Sequence, residues 1–309
     1  MKKLTIMTLL LLVSSATLAR EKLTLELDQP VNATHAPILI AKQLGYFKDQ
    51  DLDVELITPK PNDSVAKIIA DNQADLGLMH EPAFILKVDE GMHLIQVGTL
   101  IDKPMNCVIA LQTSGIKSLQ DFKGKEIGES NNRLAKVLFA TMLHQEGLKS
   151  NDYKVVPMQK NLTAALLSHK VDAVSGVLRN IEVAALEKSG EKVVVFFPEE
   201  HGMPTYSELI FTSNIAHAKD PRFKKFLTAI KKAVRFMDEH PETAWKQFVK
   251  QNPVLNTPIN HDFWFKTLPF FAENPEEFNR DEWIKFATFM QQNHFIHKTQ
   301  TMERYSIIG

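Results

Sequence analysis

A single cysteine, Cys107, is present among the 309 residues of the chain. One cysteine cannot close an internal disulfide, and it cannot supply a cysteine-rich metal site. The chain has 11 histidines, but no pair combines i, i+4 spacing with an acid, as a zinc-binding helix requires. The composition therefore predicts a protein that is held together by its core and binds no metal.

Excess positive charge and long apolar runs are also missing. Lys and Arg number 36 against 37 Asp and Glu, a formal charge of −1, so no basic field attracts nucleic acid. Beyond the N-terminal segment, no apolar run approaches the ~20 residues that span a bilayer. These absences indicate a soluble, globular protein that is long enough for two lobes.

The first 19 residues have the pattern of a secretory signal peptide. Lys2 and Lys3 give a basic start, "LTIMTLLLLV" is an apolar core, and Thr17 and Ala19 fit the small-residue cleavage pattern. A membrane anchor is the alternative, but the apolar run is short for one. We predict cleavage near Ala19 and a mature protein that is free in the periplasm.

Strand-like and helix-like segments alternate through most of the remaining chain. "KLTLELD" and "LDVELIT" alternate with period two, and "APILIAKQLGYF" between them has a helical spacing. Strands separated by helices predict an α/β protein with mostly parallel sheets. After "ELIFTSN" the pattern becomes helical only, from Pro221 onward.

Two strand-like segments, "NCVIALQ" and "SELIFTSN", join the α/β units. We interpret them as two crossings between lobes. Lobe 1 would consist of residues 20–109 and 210–309, and lobe 2 of residues 110–209. A ligand would bind in the cleft between the lobes, at strand ends and helix starts.

Several motifs occur in the order found in one known family. They are "GYFKDQDLDVEL", "ADLGL", "SGIKSLQDFKGKEIG", "VDAVSGVLRNIEVAAL", "EEHGMPTYSELIFTSN" and "FLTAIKKAV" followed by "HPETAWKQF". Together they resemble the group that unites thiamine-pyrimidine synthases with solute-binding proteins of ABC importers for thiamine-precursor pyrimidines. The resemblance implies a type II periplasmic-binding-protein fold. It also implies a monomeric receptor that delivers a pyrimidine to an ABC permease and its ATPase.

Candidate ligand-binding residues follow the first and third predicted strands. Asn32 and His35 lie in the turn before the first helix, where short polar side chains reach unpaired amides. The family usually has a tryptophan just before Pro30, suited to stacking on a flat ring, and the resemblance puts Asp28 or Gln29 in its place. His80 and Glu81 end a later strand and could contact a ring's nitrogen and amino groups; Glu81 could instead favour the positive end of the next helix.

Four further candidates lie in the second half of the chain. The resemblance makes Glu182, with Asn180 beside it, the acceptor for the exocyclic amine of a pyrimidine, and a carboxylate suits an amine donor. Tyr206 could stack on a flat ring. Glu208, at the mouth of an apolar strand, could accept from the ligand or brace the hinge.

The synthase branch of the family uses pyridoxal phosphate on a lysine and consumes a histidine. Here the corresponding positions are Met79 and Ala83, and "GMPTYS" replaces that branch's cysteine cluster. A Schiff base requires a lysine amine. We therefore expect a receptor that is not an enzyme and has no cofactor. A synthase, or a receptor of the same fold for another organic solute such as a sulfonate, remain the alternatives.

Overall fold

The computed structural model describes residues 20–60, 63–158 and 161–307. The predicted signal peptide, residues 1–19, lies outside the described residues. The strands are β1 (Glu21–Glu26), β2 (Leu52–Ile57), β3 (Leu76–Met79), β4 (Leu94–Ile101), β5 (Asn106–Leu111), β6 (Glu126–Glu129), β7 (Lys154–Pro157), β8 (Ala173–Leu178), β9 (Val193–Phe196) and β10 (Leu209–Asn214).

Most helices begin at residues that favour helix starts. Asn132 caps α4 through its side chain, and Asp220 caps α7 with Pro221 in the first turn. The helices are α1 (Ala36–Gln43), α2 (Val65–Ala70), α3 (Glu81–Asp89), α4 (Arg133–Gln145), α5 (Leu162–Leu167), α6 (Ala184–Lys188), α7 (Pro221–Glu239), α8 (Pro241–Gln251), α9 (Pro258–Thr267), α10 (Arg280–Gln292) and α11 (Met302–Tyr305). Among the described residues, no helix is both long enough and apolar enough to cross a membrane.

The strands form two five-stranded sheets, with orders β2-β1-β3-β10-β4 and β7-β6-β8-β5-β9. β1 pairs in parallel with β2 and β3, and β6 pairs in parallel with β7 and β8. β10 and β5 run antiparallel to their neighbours. The predicted two-lobed α/β architecture, with two crossings and a helical C-terminal part, is confirmed.

The crossings themselves lie just before the segments predicted for them. All of β5 pairs within the second sheet and all of β10 within the first, so the predicted boundary after residue 109 falls inside β5. The chain crosses instead at residues 102–105 and 197–208. A strand pattern reports burial and extension but not which sheet supplies the partners, and this explains the displacement.

The C-terminal helices connect the cores of the two lobes. One continuous apolar cluster contains Phe84 of lobe 1, Phe139 of lobe 2 and Phe286 of α10. A second cluster packs α1, α7 and α8 on the first sheet, with Phe226 and Trp264 fully buried. The lobes are therefore joined by packed side chains as well as by the two crossings.

Candidate functional site

Strand ends from the two sheets come together at the crossings. Because β10 runs antiparallel to β3, its first residues lie beside the carboxyl end of β3, and the start of β5 lies beside the end of β8 in the same way. The backbone N–H of Met105 donates to Glu208 Oε2 (2.8 Å), and the N–H of Arg179 donates to the Met105 carbonyl (2.9 Å). Side chains at these edges therefore face the gap between the lobes.

His35 is completely buried and holds Asp28 in place. Its Nδ1 accepts from the backbone N–H of Asn32 (3.2 Å), so the ring proton is on Nε2, which donates to Asp28 Oδ1 (2.8 Å). Both ring nitrogens of His35 are occupied by these bonds, so contact between His35 and a ligand, which stays a prediction, would require one of them to be given up. Burial opposes ionisation of Asp28, but the hydrogen bond from His35 and the neighbouring His80 lower the pKa of Asp28 below its usual value.

Asn32 has the capping role that the sequence allowed. Its Oδ1 accepts from the N–H and the hydroxyl of Thr34 (2.8 and 2.7 Å), and its Nδ2 donates to the Pro30 carbonyl. The turn before α1 is thus fixed by its own hydrogen bonds, which orients the Asp28–His35 pair.

The side chain of His80 contacts two carboxylates and is also accessible to solvent. Its Nδ1 lies 3.0 Å from Glu208 Oε1, its Nε2 lies 3.9 Å from Asp28 Oδ2, and the side chain is 47% exposed. Burial alone would lower the pKa of His80, but the hydrogen bond and charge of Glu208, together with Asp28, raise it. We name Asp28, His80 and Glu208 the carboxylate–histidine array.

Glu208 braces the crossings and also orients His80. One carboxylate oxygen accepts from Met105 N–H and the other faces the imidazole, while the residue is 6% exposed. Both oxygens are thus engaged. Direct acceptance of a ligand donor, one of the roles considered from the sequence, would require one of these bonds to be given up.

Glu81 points away from its neighbour His80. The residue is 1% exposed, its Oε2 accepts from the backbone N–H of Ser207 (2.7 Å), and its Oε1 has no partner among the described residues. Burial raises the pKa of Glu81 to about 8. Of the two residues, His80 reaches the array and Glu81 does not, since consecutive side chains at a strand end diverge; ligand contact by either stays a prediction.

Tyr206 is packed inside the protein. The side chain is 4% exposed, its ring lies 4.8 Å from that of Phe286, and its hydroxyl accepts from Asn106 Nδ2 (2.8 Å). The ring is therefore part of the core between the lobes. Stacking of Tyr206 on a ligand stays a prediction, and it would require the ring to leave this packing.

Asn180 and Glu182 lie on a short π-helix, Arg179–Val183, which follows β8. Asn180 Nδ2 donates to Thr267 Oγ1 of α9 (2.9 Å), whereas its buried Oδ1 has no partner in the described part of the chain. Glu182 Oε2 accepts from the N–H of Leu178 (2.8 Å), and burial raises its pKa although this bond opposes the rise. Irregular helical turns of this kind are frequent at functional sites.

A small cavity of about 60 Å³ lies where lobe 2 meets α9. Asn32, Thr34, Asn180, Phe263 and Thr267 contribute to its walls, whereas the carboxylate–histidine array does not line it. Ion pairs from Lys188 to Asp262 and from Lys266 to Glu187 fasten α6 of lobe 2 to α9. A ring-sized ligand does not fit in this cavity.

A larger pocket lies on the other side of the crossings. We name it the hinge-side pocket; it has a volume of about 570 Å³, and its lining includes Glu81, Asp102, Lys103, Ser207, Glu282 and Trp283. Glu81 thus belongs to this pocket and not to the array.

Arg179 is a residue that the sequence reasoning missed. Its guanidinium forms an ion pair with Glu199 (2.7 Å), lies 4.0 Å from the ring centroid of Phe197, and donates to the Asn106 carbonyl (3.2 Å). The only signal was its place directly before Asn180 in "VLRNIEV". It connects the end of β8 to the second crossing.

The model of the family described as NMT1/THI5 like matches residues 32–244. The chain belongs to this family. A relative from Haemophilus influenzae, provisionally named a thiamine biosynthesis protein, is 38% identical over 298 residues, which cover 96% of this chain and 95% of the relative. The resemblance drawn from the sequence motifs is thereby confirmed.

A solved structure shows the fold of this NMT1/THI5-like protein independently. The periplasmic aliphatic sulphonate binding protein of Escherichia coli superposes with a TM-score of 0.72 at 16% identity, covering 93% of this chain and 92% of that one. The predicted periplasmic-binding-protein fold is confirmed. At this identity the likeness extends to the fold alone.

The expectation that the chain is not an enzyme is wrong by comparison with its relatives. A protein of Legionella pneumophila, 27% identical over 273 residues (87% of this chain and 86% of the relative), is named 4-amino-5-hydroxymethyl-2-methylpyrimidine phosphate synthase. Further relatives at 25% and 26% identity carry the same activity in their names. Both binding and synthesis therefore occur among the names attached to this family and fold.

The residues at the family's cofactor position do not fit pyridoxal phosphate. The resemblance places the Schiff-base lysine at Met79, which is 7% exposed and whose thioether cannot condense with an aldehyde. We therefore derive no step through that cofactor. Within the described ranges, no group of three or more His, Cys, Asp or Glu could hold a metal ion.

Proposed function

We propose that this protein binds a thiamine-related aminopyrimidine between its two lobes and delivers it, from the periplasm, to the permease and ATPase of an ABC importer. The family connects the chain with thiamine-pyrimidine chemistry, and the solute-binding fold provides a cleft that opens and closes. The signal pattern of residues 1–19 supports the periplasmic location.

The carboxylate–histidine array is the observation that carries the proposal. The Nδ1 of half-exposed His80 donates to Glu208, and its Nε2 donates as well when the ring is protonated, a form that Glu208 and Asp28 favour by raising the pKa of His80; Asp28 Oδ2, 3.9 Å from Nε2, is an acceptor. An aminopyrimidine presents a ring-nitrogen acceptor beside an exocyclic amine donor. The array therefore offers the complementary pair, with charged groups that strengthen both hydrogen bonds.

Glu182 supplies a second acceptor from the facing lobe. Its Oε2 is held by the N–H of Leu178, which fixes the carboxylate near the gap. Closure of the lobes would bring this carboxylate and the array to opposite edges of one ring. Ligand binding would then stabilise the closed form because each edge requires its own lobe.

Titration calorimetry with 4-amino-5-hydroxymethyl-2-methylpyrimidine tests this arrangement. Asp28→Asn retains the acceptor for His35 but presents an amide donor to the ligand's amine, and Glu182→Gln makes the same exchange across the cleft. We expect each variant to lose at least about tenfold in affinity, ~1.4 kcal/mol. Asp53→Asn, on the exposed side of β2, is the matched control and should bind normally.

Wild-type affinity in both cleft variants would refute the assignment of the site. No binding of the pyrimidine, with tight binding of an alkanesulfonate, would instead favour a receptor for sulfonates. The analogue that lacks the 4-amino group should bind weakly. Without that amine the buried carboxylates have no donor, which costs ~1–3 kcal/mol.

Synthesis of the pyrimidine phosphate is the second candidate function. The names of the relatives at 25% to 27% identity favour it. Mass spectrometry of the purified protein's reaction with the synthase substrates distinguishes the two. New pyrimidine phosphate would establish synthesis, whereas recovery of added pyrimidine unchanged from a saturable site would support the receptor.

A further inference from the structure

The hinge-side pocket is strongly acidic and has little positive charge to balance it. Asp102, Glu273, Glu277 and Glu282 lie in its lining, and all four are exposed. Partial burial, followed by Glu273 and Glu277 and opposed by Lys103, raises the pKa of Asp102; partial burial, followed by Asp102 and Glu277 and opposed by Lys285, raises the pKa of Glu282. A cation in the pocket would relieve this repulsion.

Buried Glu81 is a separate indication that the pocket takes a ligand. Its Oε2 is satisfied by Ser207 N–H, but its Oε1 has no partner in the part of the chain that the structure describes, although the residue lines the pocket and is 1% exposed. A buried carboxyl oxygen without a hydrogen-bond partner is costly, and native proteins rarely leave one unpaired. An entering ammonium group would donate to Oε1 and favour the ionised carboxylate, releasing the proton that Glu81 holds near neutral pH.

The remaining walls are aromatic. Phe271, Phe278 and Trp283 line the same pocket. Aromatic faces attract ammonium groups and pack against methylene chains. The other acid in the lining, Glu199, is already paired with Arg179, and the carboxylates do not form a group able to hold a metal ion within the described residues.

We propose that the hinge-side pocket binds an aliphatic amine, with one ammonium group on Glu81 and the chain extending towards the acidic rim. The volume, about 570 Å³, suits a small organic molecule. This site is separate from the cleft, and the proposal does not depend on the function proposed above. Because both crossings form part of the wall, occupancy would also bias the hinge.

Calorimetry with 1,4-diaminobutane at constant ionic strength tests the proposal on the full chain. Both amines stay protonated near neutral pH, since their pKa values resemble that of lysine, ~10.4. We expect one site per chain, proton release on binding below pH 8, and tighter binding above it, because the cation favours ionised Glu81. Asp102 and Glu282, whose pKa values are also raised, would add to this trend at lower pH. Neutral 1,4-butanediol should not bind.

Two variants identify the carboxylates involved. Glu81→Gln preserves the acceptor for Ser207 N–H and should weaken binding at least about tenfold. Glu282→Gln, on the exposed rim, should weaken it by a smaller factor, and the exposed Glu55→Gln on β2 should have no effect. Absence of binding at millimolar diamine, or equal affinity in wild type and Glu81→Gln, would overturn the proposal. Binding that simply falls with salt in every variant would also overturn it.

Discussion

Near the crossings, two residues that are adjacent in the chain lie in two different sites. His80 lies in the carboxylate–histidine array, whereas Glu81 lies in the hinge-side pocket. The sequence could place both residues at the end of a strand, because alternation and Pro82 mark that point. It could not give their directions, because these depend on partners more than a hundred positions away, Glu208 and Ser207.

Glu81 should make the stability of the protein depend on pH. Its folded pKa, about 8, exceeds the ordinary value of 4.5, so the folded state retains a proton that the unfolded state has lost. Stability therefore falls as pH rises from about 4.5 to 8 and levels off above that. Glu81→Gln removes this penalty. Above pH 8 we expect the free energy of unfolding of Glu81→Gln to exceed that of wild type by on the order of 2 kcal/mol. A pKa shift of one unit corresponds to ~1.4 kcal/mol, so this figure uses only part of the shift.

Denaturant titrations at several pH values measure this difference. Glu55→Gln should follow the wild-type curve throughout. Parallel curves for wild type and Glu81→Gln between pH 5 and about 8 would show that Glu81 is ionised normally.

At the scale of elements, local patterns predicted the strands well and their partners poorly. "NCVIALQ" and "SELIFTSN" were recognised as extended and apolar, and they do form β5 and β10. Each lies wholly within one sheet and directly follows a crossing, because sheet membership is decided by pairing with distant strands such as β8 and β4. For the same reason, the contact between α9 and the π-helix could not be predicted.

The hydroxyl of Thr267 should contribute to joining the lobes. It donates to the Phe263 carbonyl and accepts from the buried Asn180 amide. Thr267→Val leaves that amide unpaired, and we expect the free energy of unfolding to fall by ~1–3 kcal/mol.

Thr228→Val is the matched control, since Thr228 makes the same intrahelical bond to the Lys224 carbonyl on an exposed surface. Chemical denaturation followed by tryptophan fluorescence compares the two. Similar losses in both variants would mean that the Asn180 contact contributes nothing.

For the whole molecule, the two crossings between the lobes predict a hinge motion. The proposed ligand contacts lie on both lobes, so we expect the lobes to open for the pyrimidine to enter and to close when it is bound. We expect X-ray scattering to give a larger radius of gyration without the pyrimidine than with it. At a hundredfold excess over Kd, ligand should raise the free energy of unfolding by ~2.7 kcal/mol.

A scattering profile that does not change when a tight ligand is added would contradict this motion. Scattering and thermal melts with the pyrimidine that lacks its amino group serve as controls. Because this analogue should bind weakly, both the scattering profile and the melting temperature should stay unchanged.

The position of β10 has a consequence for the order in which the two sheets can be completed. This strand lies between β3 and β4, yet it is synthesised after every strand of the other sheet. The first sheet therefore stays divided until residues 209–214 join it, whereas every strand of the second sheet precedes them in the chain. Completion of the N-terminal lobe thus depends on a distant segment, and such non-local pairing slows folding.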